Sequence, residues 1–256
     1  MASSAKSSAK SSEAIVLAEV PSFRDAIVKR SLKDVIADRI AGLIASGIVQ
    51  VGDALPSERE LASSLNVSRE TMRGAIQILA ARGILEISHG ARTRVVRADV
   101  GPVTIGVGPA RAINAYDIDS VHAARLLIER EVAADAARRI DDATLAMLEG
   151  LLAVQKEAFN DPVGFLICDR EFHVTIYRAS GNALLADFAA DLYSYMMEYR
   201  RLAVARPEAI ATSYADHAAI VAALRAHDPD AAVAAFAVHT DRIYQTTQTV
   251  MGFEKK

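Results

Sequence analysis

Between Leu55 and Val96 the sequence sets two helix starts, one helix stop and two short strand-like runs in an unbroken order, which restricts the fold to a small helix pair closed by a hairpin. Ser57 has N-cap chemistry, Glu60 stands three residues on and Pro56 lies just before, so a helix is expected from Glu58 to about Leu65. Asn66 and Val67 make a tight turn. Ser68 caps a second helix in which Met72, Ala75, Ile76 and Leu79 follow i, i+3, i+4, i+7 and form one buried stripe. Arg69, Arg73 and Gln77 lie on the opposite side, with Glu70 among them. Gly83 ends that helix. Ile84 to Ile87 and Thr93 to Val96 are expected as two strands joined through Ser88, His89, Gly90, Ala91 and Arg92, a hairpin with a basic tip. The whole is a winged helix-turn-helix, whose second helix offers its N-terminal Arg residues to a major groove.

The stretch resembles the DNA-binding domain of the GntR family of bacterial transcription regulators. The matching residues are Leu55-Pro-Ser-Glu-Arg-Glu-Leu-Ala62, Val67-Ser-Arg69, Met72-Arg73 with Ala75-Ile76, then Leu79 and Gly83. The resemblance implies that Arg59, Arg69 and Arg73, with His89 and Gly90 in the wing, contact DNA.

A net charge of −3 is unusual for a DNA binder, but the charge is unevenly divided. Residues 21–97 carry +4, whereas residues from 98 onward carry −7. The N-terminal part can face phosphate while the remainder keeps away from it. No run of about 18 apolar residues occurs, so no transmembrane helix is expected. The start, MASSAKSSAKSSE, is low-complexity without an apolar core, and residues 1–30 are read as a disordered tail and lead-in. A single cysteine, Cys168, excludes an internal disulfide and fits a cytoplasmic location.

The winged domain is expected over residues 31–97. Its first helix is capped by Ser31, carries Leu32, Val35, Ile36, Ile40 and Leu43 on one face, and ends at Gly47. Residues 98–114 break into Gly and Pro without a helical period and read as a linker. Residues 115–250 are nearly all helix, in segments 117–139, 142–158, 161–180, 182–205, 208–227 and 229–249, and short loops between six long helices imply an antiparallel bundle. The fold class is therefore mainly α, with one small β-hairpin.

Asp169, His173, His217 and His239 stand out in this bundle. Asp169 and His173 are i, i+4 and share a helix face. His217 lies eleven residues before Asp228 and His239 eleven after it. Asp228-Pro229 is the turn of a helical hairpin, so the two imidazoles stand at one height. One carboxylate and three imidazoles suit Zn²⁺, or Ni²⁺ or Mn²⁺, with coordination positions left free. Cys168 is about 100° round the helix from Asp169 and reads as a core thiol. His89, His122 and His227, taken singly, carry no metal spacing.

This part resembles the FCD ligand-binding domain of the FadR subfamily of GntR regulators, through Asp169-Arg-Glu-Phe-His173, Ala179-Ser-Gly-Asn182, His217 and His239. The resemblance implies that the four positions hold the metal and that a small carboxylate effector completes its coordination. Arg125-Leu-Leu-Ile-Glu129 resembles the family's Arg-x-x-Leu-Glu segment. Arg125 either faces the cavity and holds a carboxylate, or pairs with Glu129 at i+4 on a solvated face. Tyr193, Tyr195, Tyr199, Arg200 and Arg201 divide between cavity lining and ordinary packing.

These readings point to a transcription regulator, a repressor rather than an enzyme, binding a pseudo-palindromic operator as a homodimer and answering to a small organic acid. Two alternatives are a metal-dependent enzyme, for which no base is spaced near the ligands, and a regulator whose metal is purely structural.

Overall fold

The computed structural model describes residues 31–88, 92–100, 114–206 and 208–252. The expected tail, most of the linker, and His89 and Gly90 of the wing fall outside the described residues.

Ser31 and Asp34 form a capping box that starts α1 (Leu32–Ala45). Its buried stripe is Ile36, Ala37, Ile40, Ala41 and Ile44, whereas Leu32 is 56 % and Val35 44 % exposed. The expected face is thus shifted toward Ala37, Ala41 and Ile44, and from the first turn it is Lys33 that lies along the third helix, beside Gly74. Ser57 accepts from the Glu60 N–H while the Glu60 carboxylate accepts from the Ser57 N–H, fixing the start of α2 (Glu58–Ser64). Asn66 turns the chain with φ 50°. Ser68 caps α3 (Arg69–Ala81), which buries Met72, Ala75, Ile76 and Leu79 as expected.

Gly83, at φ 69°, ends α3 in the left-handed region. The wing strands are shorter than expected, β1 (Leu85–Glu86) and β2 (Arg94–Val95), antiparallel with Leu85 opposite Val95. Residues 52–55 add a third line to this sheet. Gly52 N–H donates to the Val95 carbonyl, Val95 N–H to the Asp53 carbonyl and Leu55 N–H to the Thr93 carbonyl.

The bundle comprises α4 (Ile118–Arg139), α5 (Asp142–Glu157), α6 (Pro162–Ala179), α7 (Ala183–Tyr193), α8 (Met197–Val204), α9 (Ala209–Arg225) and α10 (Pro229–Val250). Asp117, Asp141, Asp161, Asn182 and Asp228 each cap the helix that follows through a side-chain oxygen. The expected helix 182–205 is in fact two. It breaks at residues 194–196, where Met196 takes φ 49° and its N–H donates to Asn114 Oδ1. Nothing in the local sequence forces this break; Tyr195, whose hydroxyl donates to the Tyr116 carbonyl, and the Asn114 contact hold it from outside. Among the described residues, no helix is long and apolar enough to cross a membrane.

Candidate metal centre and nucleic-acid interface

Helix periodicity and one hairpin assemble the cluster. Asp169 and His173 project from one face of α6, His217 comes from α9, and His239 crosses from α10. All four are buried, and one ligand atom from each lies within 4.8 Å of the others. The Nε2 atoms of His217 and His239 are 3.2 Å apart, as are those of His173 and His239. The equal heights read from the sequence across Asp228-Pro229 are realised.

Proton positions follow from the surroundings. Gln155 Oε1 lies 2.7 Å from His217 Nδ1, and the Asp216 carboxylate faces His239 Nδ1 at 3.4 Å. Acceptors at both Nδ1 atoms assign the protons there and leave the two Nε2 lone pairs pointing at each other. Two such lone pairs at 3.2 Å repel, and a shared cation relieves that repulsion. Burial and the neighbouring His239 push the His217 imidazole down to about 3, so it is neutral, the ligand form. Burial, then the other two histidines, likewise hold His173 well below its ordinary range.

Asp169 completes the donor set. Its Oδ2 accepts from the Tyr193 hydroxyl at 2.5 Å and from Arg200 at 3.1 Å, while Oδ1 is buried with no hydrogen bond and stands 3.3 Å from His217 Nε2. Burial alone raises a carboxyl pKa; here His217, the Arg200 guanidinium, His239 and the Tyr193 hydroxyl outweigh it, and Asp169 stays charged. An orphaned anionic oxygen beside unprotonated imidazole nitrogens fits a divalent cation.

Arg200, which bonds Asp169, also lines a narrow pocket together with Arg125, His122, Tyr195, Thr240 and Tyr244 among others, with space for little more than a water molecule. Arg125 combines parts of both expectations. It pairs with Glu129 at 2.9 Å, yet the pair is buried and Arg125 lines the pocket rather than a solvated face. Glu129 also accepts from Tyr177 and Thr240. Burial opposes its charge, but Arg125 and these hydroxyls hold it below the usual carboxylate range.

Sequence reasoning left Gln155 and Asp216 unmentioned and did not separate Tyr193 and Arg200 from packing residues. A usable signal existed only for Asp216, which neighbours His217 and faces α10, where Arg242 grips it at 2.8 and 3.2 Å. Arg201 bonds Asp53 and the Ile48 carbonyl instead. His122 Nε2 lies 3.0 Å from Asp241 Oδ1 and the residue lines the pocket, so it is more than a scattered histidine, whereas His227 bonds the Ala137 carbonyl. Cys168 is buried, donates to the Leu151 carbonyl, and burial pushes its thiol up to about 12.

In the winged domain Arg59, Arg69, Arg73 and Gln77 are all exposed. Arg73 also reaches back to Glu58 at 3.1 Å, a brace between α2 and α3.

A model of the FCD domain matches residues 120–242, and a model described as bacterial regulatory proteins, gntR family, matches residues 32–95. The HTH-type transcriptional repressor NanR of Edwardsiella tarda is 29% identical over 234 residues, covering 89% of this chain and 89% of that protein. GntR of Streptococcus agalactiae, a solved structure, is 30% identical and covers 83% of this chain and 99% of its own, with a TM-score of 0.42. McbR/YncC of E. coli is 20% identical over 85% of this chain and 99% of its own, with a TM-score of 0.50.

Proposed function

The chain belongs to the GntR family of bacterial regulatory proteins and is a DNA-binding transcription regulator with a ligand-binding FCD domain; on that premise we propose that it is a FadR-subfamily repressor whose operator binding answers to a small organic acid. Its relatives are regulators, so the enzymatic reading of the cluster is set aside. The observation that carries the proposal is the buried Asp169–His173–His217–His239 cluster, joined through Arg200 to a pocket lined by two arginines.

These four residues would hold a divalent metal, Zn²⁺ first and Ni²⁺ or Mn²⁺ as alternatives. When bound, the metal supplies a Lewis-acid point of attachment for a carboxylate. Gln155 and Asp216 orient His217 and His239, and Tyr193 and Arg200 orient Asp169. Arg125 and Arg200 supply the positive charge that selects an acid over a neutral solute. Because the pocket is narrow, taking in an acid requires the bundle to repack, and an acid that favours the repacked state shifts the population toward it.

At the other end, Arg69, Arg73 and Gln77 would enter a major groove while Arg59 and the wing, with His89 and Gly90, meet the backbone. One winged domain offers few base contacts, so a homodimer on a pseudo-palindromic operator in the cytoplasm completes the reading.

Selection from random duplexes with the zinc-loaded chain tests this. A two-fold related sequence should be enriched, and Arg69→Ala or Arg73→Ala should each weaken binding to it at least tenfold. Enrichment of no sequence, or undiminished binding by both variants, contradicts it.

A further inference from the structure

Helix α8 touches both halves of the molecule with consecutive residues. Arg200 is buried and turns inward, where Nη2 donates to Asp169 Oδ2 and Nη1 to the Tyr193 carbonyl, with the guanidinium 4.3 Å from the Tyr193 ring centre. Arg201, about 100° further round the helix, turns toward the winged domain. Its Nη1 donates to the Ile48 carbonyl at 2.7 Å and to Asp53 Oδ2 at 2.6 Å. Met197, one turn earlier on the same face as Arg201, sits against Gly47.

Asp53 is in turn part of the wing sheet. Its carbonyl accepts from Val95 N–H, and its carboxylate accepts from Gln50 N–H and closes the 50–53 turn. Ala54, the next residue, bridges to Arg94, and Leu55 leads into α2. Another ion pair between the halves, Arg39 with Glu171, has its Arg 64% exposed, so solvent screens it. Arg201 instead holds a carboxylate and a carbonyl together at a half-buried seam.

We propose that Arg200 and Arg201 form a relay, in which α8 passes a change at Asp169 to Asp53 and so to the wing and the start of α2. A carboxylate that gives part of its charge to a cation is a weaker acceptor for Arg200. Arg200 also lines the pocket, so an entering acid competes with Asp169 for the same guanidinium. Either event alters how α8 is held, and the rigid short helix carries the displacement across to Arg201. The relay rests on the reading of the cluster as a divalent-metal site.

The test is hydrogen exchange on the full chain, chelated and with Zn²⁺, for the wild type, Arg201→Gln and Asp53→Asn, with bound zinc counted by native mass spectrometry. Asn at position 53 keeps an acceptor for the Gln50 N–H and removes only the charge. Zinc should alter exchange at 197–204 and at both 50–55 and 93–96 in the wild type. Each variant should bind zinc and keep the change at 197–204, while the change at 50–55 falls severalfold. Zinc-bound variants whose 50–55 segment responds as in the wild type overturn the relay and leave the metal site standing, as does a zinc-bound wild type without a response at 50–55. A wild type that binds no zinc overturns the metal reading and the relay with it.

Discussion

Glu129 and His217 show how burial turns a single side chain into a constraint. Glu129 is buried against Arg125, Tyr177 and Thr240, so Glu129→Ala leaves a buried guanidinium without its counter-charge and should lower stability by about 3–5 kcal/mol in urea unfolding. A loss below about 1 kcal/mol would mean that Arg125 finds solvent or another partner. For His217 the sign of the pH effect follows from its depressed pKa. The folded imidazole stays neutral down to about 3, while the unfolded one takes up a proton near 6.5. The unfolded chain thus binds more protons, and chelated protein should lose stability as pH falls from 6.5 toward 3, by about 1.4 kcal/mol per unit for this residue alone. His217→Ala should flatten that slope, and an unchanged slope would place the acid sensitivity elsewhere. The four candidate ligands were legible because i, i+4 spacing and symmetry about Asp228 survive without tertiary knowledge. Gln155 and Arg200 were not: they lie 62 residues from His217 and 31 from Asp169, and only packing brings them there.

Among the described helices, eight start on a side-chain cap that the sequence shows; of the two that do not, α9 is still marked by the Arg206-Pro207 pair before it in the sequence, whereas α8 has no such mark. Ser31, Ser57, Ser68, Asp117, Asp141, Asp161, Asn182 and Asp228 each satisfy backbone N–H groups locally, so sequence alone places those starts. Helix α8 begins at Met196 in the left-handed region without a side-chain cap. Its break is set by distant Asn114 and by Arg200, which takes the Tyr193 carbonyl at the end of α7. The face of α1 also differs from the expected one, since Ala37, Ala41 and Ile44 are buried while the larger Leu32 and Val35 are exposed. Ser57→Ala removes the side-chain acceptor of the α2 capping box while leaving the backbone N–H that donates to Glu60, and should cost about 1 kcal/mol, seen as a lower urea midpoint with an unchanged slope. No change in midpoint would mean that packing alone sets the start of α2. Arg59 is exposed on this helix, and if it meets a phosphate, Arg59→Ala should reduce the slope of log affinity against log salt by about 0.9 for each phosphate that Arg59 neutralises. An unaltered slope would remove Arg59 from the interface.

The whole molecule joins a positive N-terminal part to a negative bundle, an arrangement that directs one end to DNA and keeps the other from it. A core of buried residues runs from the winged domain through Met197 into the bundle, so the two ends are packed together rather than merely tethered. On this account ligand binding and DNA binding are linked equilibria, and each ligand shifts the other only as far as it distinguishes the two packings. As proposed, the cluster holds a divalent metal which an organic acid joins. Thermal unfolding of the zinc-loaded and chelated chain against a panel of mono-, di- and hydroxycarboxylates tests it most directly. Zinc should raise the midpoint, and one acid class should raise it further only when zinc is present, with about 2.7 kcal/mol of stabilisation at a hundred times its Kd and none in His217→Ala. A midpoint raised by zinc but by no acid, or by an acid equally well after chelation, would mean that no acid joins a metal at this cluster.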